Sequence, residues 1–248
     1  MDSANHSQFK ELSNIYTSMA EWPFRREIEI PSVLELLGDI KGKRVLDYGC
    51  GEGTYSRLLK SLGAESVTGF DLEKGMLVQA ENIERVSPCG IEYVSELDVS
   101  LNGTFDVVLA VYVLPYANNK DLLMAMCKNM AKLLKPGGKL VALPVHPDYE
   151  KKPGFYEKYG FSMLQSAVYQ EGGEIQLDLF CSGTKSTVKA WYWSFLALEE
   201  ALVGAGFTHI NFTNPLPEKY KDIDRAPEFL QDYLMVPHAV IIDCIKFD

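Results

Sequence analysis

From Arg44 onward, short apolar runs alternate with segments whose apolar residues recur every three or four positions. The runs read as buried strands, and the three-to-four spacing reads as helix with one apolar face. The pattern predicts strand 44–48, helix 53–62, strand 66–70, helix 73–86 and strand 91–95. It continues with strand 105–112, helix 119–135, a Pro136-Gly137-Gly138 turn and strand 139–144. Strands that alternate with helices form a parallel sheet covered on both faces. Right-handed crossovers make that sheet doubly wound. The expected fold is α/β, with a mostly parallel, seven-stranded, Rossmann-like sheet.

The flanks differ. Residues 5–21 predict a helix with Phe9, Leu12, Ile15, Tyr16 and Met19 on one face, and Trp22-Pro23 ends it. A second helix is expected over 25–37, with Pro31 near its middle dividing it in two. Residues 145–193 hold no long helix and are rich in aromatics, from Tyr149 to Trp193. There, Gly172-Gly173 separates two alternating runs, 163–170 and 174–180, which reads as a β-hairpin. A third strand is expected over 187–193. This segment reads as a β insertion above a ligand cleft. Helix 195–205, strand 207–213, a short helix near 226–234 and a last strand 237–246 complete the chain.

The candidate chemistry centres on Val45-Leu46-Asp47-Tyr48-Gly49-Cys50-Gly51-Glu52-Gly53-Thr54-Tyr55-Ser56. An apolar strand ends in an acid, glycines alternate, and a helix follows. Glycines at alternate positions permit positive φ and close approach of a ligand. Asp71 ends the next strand, so two acids flank bare backbone. That arrangement suits a nucleoside, and open α/β sheets bind ligands at this edge. The dinucleotide fingerprint requires G-x-G-x-x-G. Here Thr54 stands where its third glycine would fall. A ligand without phosphates is the better match, and a nicotinamide enzyme is the rival.

Composition narrows the partners. The 248 residues carry a net charge of −10, which disfavours nucleic acid and anionic membrane surfaces. Five scattered cysteines, Cys50, Cys89, Cys127, Cys181 and Cys244, make neither a disulfide framework nor a zinc site. Reduced thiols fit the cytoplasm. The polar stretch Met1 to Phe9 has no apolar signal core, and no apolar run reaches membrane-spanning length. Cys50 reads as a small buried filler.

The stretch Val45–Gly53 resembles motif I of class I S-adenosylmethionine-dependent methyltransferases. Asp71, Phe105-Asp106-Val107-Val108-Leu109-Ala110 and Leu133-Leu134-Lys135-Pro136-Gly137-Gly138-Lys139-Leu140 resemble three further motifs of that family, in the same order. The resemblance implies S-adenosylmethionine as cofactor and S-adenosylhomocysteine as product. It implies that Gly49, Cys50, Gly51 and Gly53 accommodate the amino acid and ribose region, and that Asp71 binds the ribose hydroxyls. By the same resemblance, Asp98 and Val99 meet the adenine edge, and Leu72, Met76 and Leu97 sandwich the ring. Ala110 and Tyr112 would lie near the methionine portion, and Asp47 would hold the turn or the amine. Asp98 as a simple turn cap, and Tyr112 and Tyr116 as plain packing, are the competing readings.

The resemblance implies one domain over 1–248: a helical cap at 1–42, a cofactor-binding half at 43–145, the β insertion at 146–193 and a C-terminal part at 194–248. Val145-His146-Pro147-Asp148-Tyr149 and Trp191-Tyr192-Trp193-Ser194 resemble bacterial small-molecule methyltransferases of natural-product pathways, among them the toxoflavin-pathway N-methyltransferases. The stretch Val111 to Asn119 has no carboxylates, so no metal is expected. The aromatic insertion suggests a small aromatic or heterocyclic acceptor. Trp22, Tyr112, Tyr116, Trp191 and Trp193 are the candidate acceptor contacts. Tyr16 is expected to close over the cofactor, and Arg25 and Arg26 either meet the cofactor carboxylate or are solvated. His146 is the candidate base by position and ordinary pKa; a loop histidine without a role is the alternative. A non-catalytic protein that binds the cofactor on the same fold is the competing function.

Overall fold

The computed structural model describes residues 21–165, 170–181 and 184–247. The helix expected over 5–21, with Tyr16, lies outside them. A π-helical turn, Arg25–Glu29, runs directly into α1 (Ile30–Leu37). Pro31 sits in the first turn of α1, where its missing N–H costs little. The proline therefore starts the α-helix instead of dividing it.

The alternating core follows as β1 (Arg44–Tyr48), α2 (Thr54–Ser61), β2 (Ser66–Phe70), α3 (Lys74–Val86), β3 (Ile91–Val94), β4 (Phe105–Val111), α4 (Lys120–Leu133) and β5 (Leu134–Leu143). The insertion supplies β6 (Phe161–Gln165), β7 (Glu174–Cys181) and β8 (Thr184–Trp191). The chain then forms α5 (Phe195–Gly204), β9 (Phe207–Thr213), α6 (Glu228–Met235) and β10 (Ile241–Lys246). Side chains start several helices: Glu73, Asn119 and Ser194 accept backbone N–H bonds at the N-caps of α3, α4 and α5.

One sheet has seven strands in the order β3-β2-β1-β4-β5-β10-β9. β10 is antiparallel to both its neighbours, and the pairs from β3 to β5 are parallel. Strand parity separates two cores. Leu46, Val108, Ala110, Leu140, Ala142 and Ile242 face α4 and α5, with Met126 and Leu198 among their neighbours. Val45, Val107, Leu109, Val141, Leu143 and Ile241 face the other way, toward Val33, Tyr55 and Leu59. This is the two-residue period of a sheet buried on both faces.

The sequence reading placed Pro136-Gly137-Gly138 outside the strand. In the structure β5 already begins at Leu134, which pairs with Phe105. A register shift between Phe105 and Val107 absorbs the extra residues as a bulge. The last strand is shorter than expected. Its approach is a single bridge, Val145 with Ala239.

The hairpin and third strand form a separate antiparallel sheet, β6-β7-β8. Most of its aromatics build a third core, with Tyr149, Tyr156, Tyr159, Phe161 and Tyr192 packed against Phe24, Leu230 and Tyr233. Their polar ends are satisfied: Tyr156 donates to Val236 O at 3.1 Å, and Tyr159 donates to Phe229 O at 2.9 Å. Among the described residues, no helix is long and apolar enough to cross a membrane.

Candidate active site

The strand order reverses between β1 and β4, and the glycine turn follows β1 there. The turn is pinned to the end of β2: the N–H groups of Gly49 and Cys50 donate to Phe70 O at 2.7 and 2.9 Å. Gly49 and Gly53 have φ of +81° and +82°. Asp71 ties the turn to the next helix. Its Oδ2 accepts from Gly51 N at 2.8 Å, and its Oδ1 accepts from Glu73 N at 2.9 Å. Burial raises the Asp71 pKa above the usual carboxylate range despite these bonds.

Asp47 lies beneath the turn, 2 % exposed, and accepts from Ser56 Oγ at 2.6 Å. Desolvation pushes its pKa from 3.8 up to about 7. The folded chain therefore holds a proton that the unfolded chain releases, and this group's contribution makes stability fall as pH rises from 3.8 to about 7. Asp47→Asn is expected to flatten that part of the profile. Urea denaturation at several pH values across the window checks it; an unchanged slope contradicts it.

A cavity of about 540 Å³ opens beside the turn. Asp47, Gly49, Cys50, Gly51 and Asp71 border one end, together with Leu72, Met76 and Leu97. One face of α4 forms a wall through Leu122, Met126, Asn129 and Leu133, at helical spacing. The other end is apolar and ring-lined. Trp22, Phe24, Phe161, Tyr112, Tyr116 and Val145 border it. The insertion closes it with Leu177 and Leu179 from β7 and Val188 and Ala190 from β8, each pair on one strand face. Trp22 stacks on Phe161 at 6.2 Å between centroids. Arg25 and His238 also reach the cavity.

Several expected residues lie elsewhere. Tyr16 is outside the described residues. Ala110 points into the α4 and α5 core, and its neighbour Val111 reaches the cavity instead. Gly53 does not border the cavity; a Cβ there would stand 2.2 Å from Tyr93 Oη, so packing requires this glycine. Asp98 is exposed and accepts from Ser100 N at 2.8 Å, the turn-cap arrangement, and Val99 is exposed beside it. Trp191 and Trp193 border only a second, far smaller pocket. The Trp193 indole donates to Ala117 O at 2.9 Å, which fixes it in the core.

His146 is also displaced from the expected position. Its Nδ1 accepts from Asp148 N at 2.9 Å, its Nε2 meets Asn214 Oδ1 at 3.0 Å, and it does not border the cavity. Burial lowers its pKa. The structure replaces the expected base by a loop-holding histidine. His146→Ala is expected to leave S-adenosylmethionine affinity unchanged in a calorimetric titration. Trp193→Phe is expected to lower stability by about 1 kcal/mol, the worth of one hydrogen bond, with the same unchanged affinity.

Glu29 and Tyr233 escaped the sequence reading. Glu29 is fully buried and accepts from Tyr112 Oη at 2.6 Å and from Tyr233 Oη. His238 Nε2 lies 3.2 Å from Tyr112 Oη, and its Nδ1 lies 2.8 Å from Tyr233 Oη. Arg25 Nε stands 3.7 Å from Glu29 Oε2 and makes no hydrogen bond among the described residues. The spacing of Arg25 and Glu29, four residues apart on the π-helical turn, was the one available signal.

Residues 45–138 match the family model of a methyltransferase domain. That match supports S-adenosylmethionine as the cofactor. The ubiquinone biosynthesis O-methyltransferase of Bordetella avium (strain 197N) is 34% identical over 136 residues, covering 53% of this chain and 51% of that protein. The enzyme of the same name from Dechloromonas aromatica (strain RCB) is 28% identical over 227 residues, covering 87% and 83%. The chain spans about half the length of the first curated relatives it matches. A solved structure of an S-adenosylmethionine dependent methyltransferase from Mesorhizobium loti superposes with a TM-score of 0.62 at 22% identity, over 88% of this chain and 97% of that one. That likeness concerns the fold.

Proposed function

We propose that this chain transfers a methyl group from S-adenosylmethionine to an oxygen or nitrogen of a small aromatic or heterocyclic metabolite, without a metal. One observation carries the reading: a single cavity joins the glycine-turn end to a ring-lined, apolar end. The residues present fit the cofactor. Asp71 offers a carboxylate beside bare backbone for the ribose hydroxyls. Leu72, Met76 and Leu97 offer apolar faces to the adenine. Arg25 brings to the same cavity a buried Nε–H that has no hydrogen-bond partner among the described residues, suited to the cofactor carboxylate.

The cofactor supplies an activated methyl. The chain's part is to bind both partners, align them and exclude water. Apolar walls from Phe161, Leu177, Leu179 and Val188 select a flat, weakly polar acceptor. The O-methyltransferase names of the relatives favour oxygen as the methylated atom.

S-adenosylhomocysteine production is the test, measured with S-adenosylmethionine and a panel of phenols, heterocycles, amino acids and peptides. Production with ring acceptors alone is expected. Production with amino acids or peptides alone contradicts the acceptor class. Tight cofactor binding without turnover across the panel contradicts the assigned activity and favours a cofactor-binding protein.

A further inference from the structure

We propose that Tyr112 takes the acceptor's proton during methyl transfer and that buried Glu29 stores it. This inference rests on the methyl-transfer reading above.

Tyr112 follows β4 with φ of +55°, a left-handed backbone at a bulky residue. Such strain costs about 1–3 kcal/mol and persists where the surroundings enforce it, often at functional sites. The enforcement is visible. Tyr112 N donates to Leu143 O at 2.9 Å. Its ring lies under the Arg25 guanidinium at 5.5 Å and stacks on His238 at 5.7 Å. This geometry places the Tyr112 side chain on the cavity and aims its hydroxyl at Glu29.

Glu29 does not border the cavity. Three cavity-lining residues reach it, His238 Nδ1 at 3.6 Å, Arg25 Nε at 3.7 Å and Tyr112 Oη at 2.6 Å, and of these Tyr112 is the one hydrogen-bonded to it. The titratable groups around it are Arg25, Tyr55, Tyr112, Tyr233 and His238. Tyr112, Glu29, Tyr233 and His238 close a ring of hydrogen bonds. With His238 neutral, the two tyrosine hydroxyls and one imidazole N–H fill three of these four contacts, and a proton on Glu29 supplies the hydrogen for the fourth. Burial lowers the His238 pKa to about 3, so His238 is neutral near pH 7. Burial raises that of Glu29, which makes it the natural proton store.

The step balances. An acceptor lone pair forms the bond to the methyl carbon, and the carbon–sulfur pair returns to sulfur. The acceptor's O–H or N–H proton passes to Tyr112 Oη as the tyrosine's own proton passes to Glu29 Oε1. The sulfonium's positive charge and Glu29's negative charge disappear together. The transfer therefore leaves the net charge of this low-dielectric site unchanged, where creating a new unpaired charge would be costly.

The inference requires Glu29 to be ionised beside S-adenosylmethionine and protonated beside neutral S-adenosylhomocysteine. Calorimetric titrations of the full chain with each ligand, in buffers of different ionisation enthalpy, count the protons released on binding. S-adenosylmethionine is expected to release up to about one proton more than S-adenosylhomocysteine near neutral pH. Glu29→Gln is expected to erase the difference while both ligands still bind. Asp47→Asn is expected to preserve it, which separates the second buried carboxyl. Equal release in the unaltered chain overturns the inference, and so does a difference that survives Glu29→Gln. Both results leave the methyl-transfer reading standing. Binding of neither ligand overturns that reading itself, and the inference with it.

Discussion

Gly49→Ala is expected to destabilise the chain by about 2–5 kcal/mol and to abolish detectable cofactor binding. Two costs add. Gly49 has φ of +81°, and a side chain there costs about 1–2 kcal/mol in backbone strain. Its new Cβ would stand 2.5 Å from Val113 Cγ2. Valine is short and stiff, so the conflict moves backbone, and overpacking of this kind costs about 1–3 kcal/mol. The melting temperature should fall by on the order of 10 °C. Gly51→Ala is the control. At φ of +57° its Cβ would meet no heavy atom within 4 Å, because Gly51 opens on the cavity. That variant should fold with a small loss and still lose affinity, since the methyl group stands where the ligand passes. Thermal denaturation and titration of both variants separate the effects. A stable Gly49→Ala chain with full affinity contradicts this account of the turn.

Asp71→Ala carries the second large effect. Removing this carboxylate frees the Gly51 and Glu73 amides and deletes the proposed ribose acceptor. Hydrogen bonds to charged groups contribute about 1.5–3 kcal/mol, so affinity for S-adenosylmethionine should drop roughly 10- to 150-fold. Asp71→Asn retains one carbonyl acceptor and should lose less. Calorimetry compares the three chains. Equal affinities would remove Asp71 from the site.

The glycine-turn end of the cavity was largely legible because its residues are local in sequence. The turn, the strand before it and Asp71 fall within one strand-helix-strand unit, where glycine spacing and parity carry the information. β1, β2 and β9 also start and stop where the pattern places them. The resemblance placed Ala110 by its position near the strand's end, and Val111 reaches the cavity instead. A strand buried on both faces is apolar at every position, so nothing in its sequence tells which residues face the ligand. The Pro136-Gly137-Gly138 segment misled for another reason: a bulge and a turn share the same residues.

The acceptor end was legible only in outline. The alternation of Leu177 with Leu179 and of Val188 with Ala190 predicts strands, not which sheet face meets a cavity. Trp191 and Trp193 looked like acceptor contacts by type, yet the Trp193 indole is held by Ala117 O. The Glu29 cluster was invisible. Tyr112 lies 83 residues from Glu29, and Tyr233 lies 204 residues away. Only the fold brings them together, and an isolated histidine such as His238 gives no pattern. His146 drew notice through its place after a strand, but Asn214 and Asp148 occupy its ring nitrogens.

The most direct measurement supplies the chain with S-adenosylmethionine bearing an isotope-labelled methyl group and a small-molecule extract of its source organism. Mass spectrometry follows the label. One ring-bearing metabolite gaining a single labelled methyl is expected, dependent on the intact chain and lost in Asp71→Ala. A label that enters no small molecule, or that enters protein or nucleic acid instead, contradicts the account.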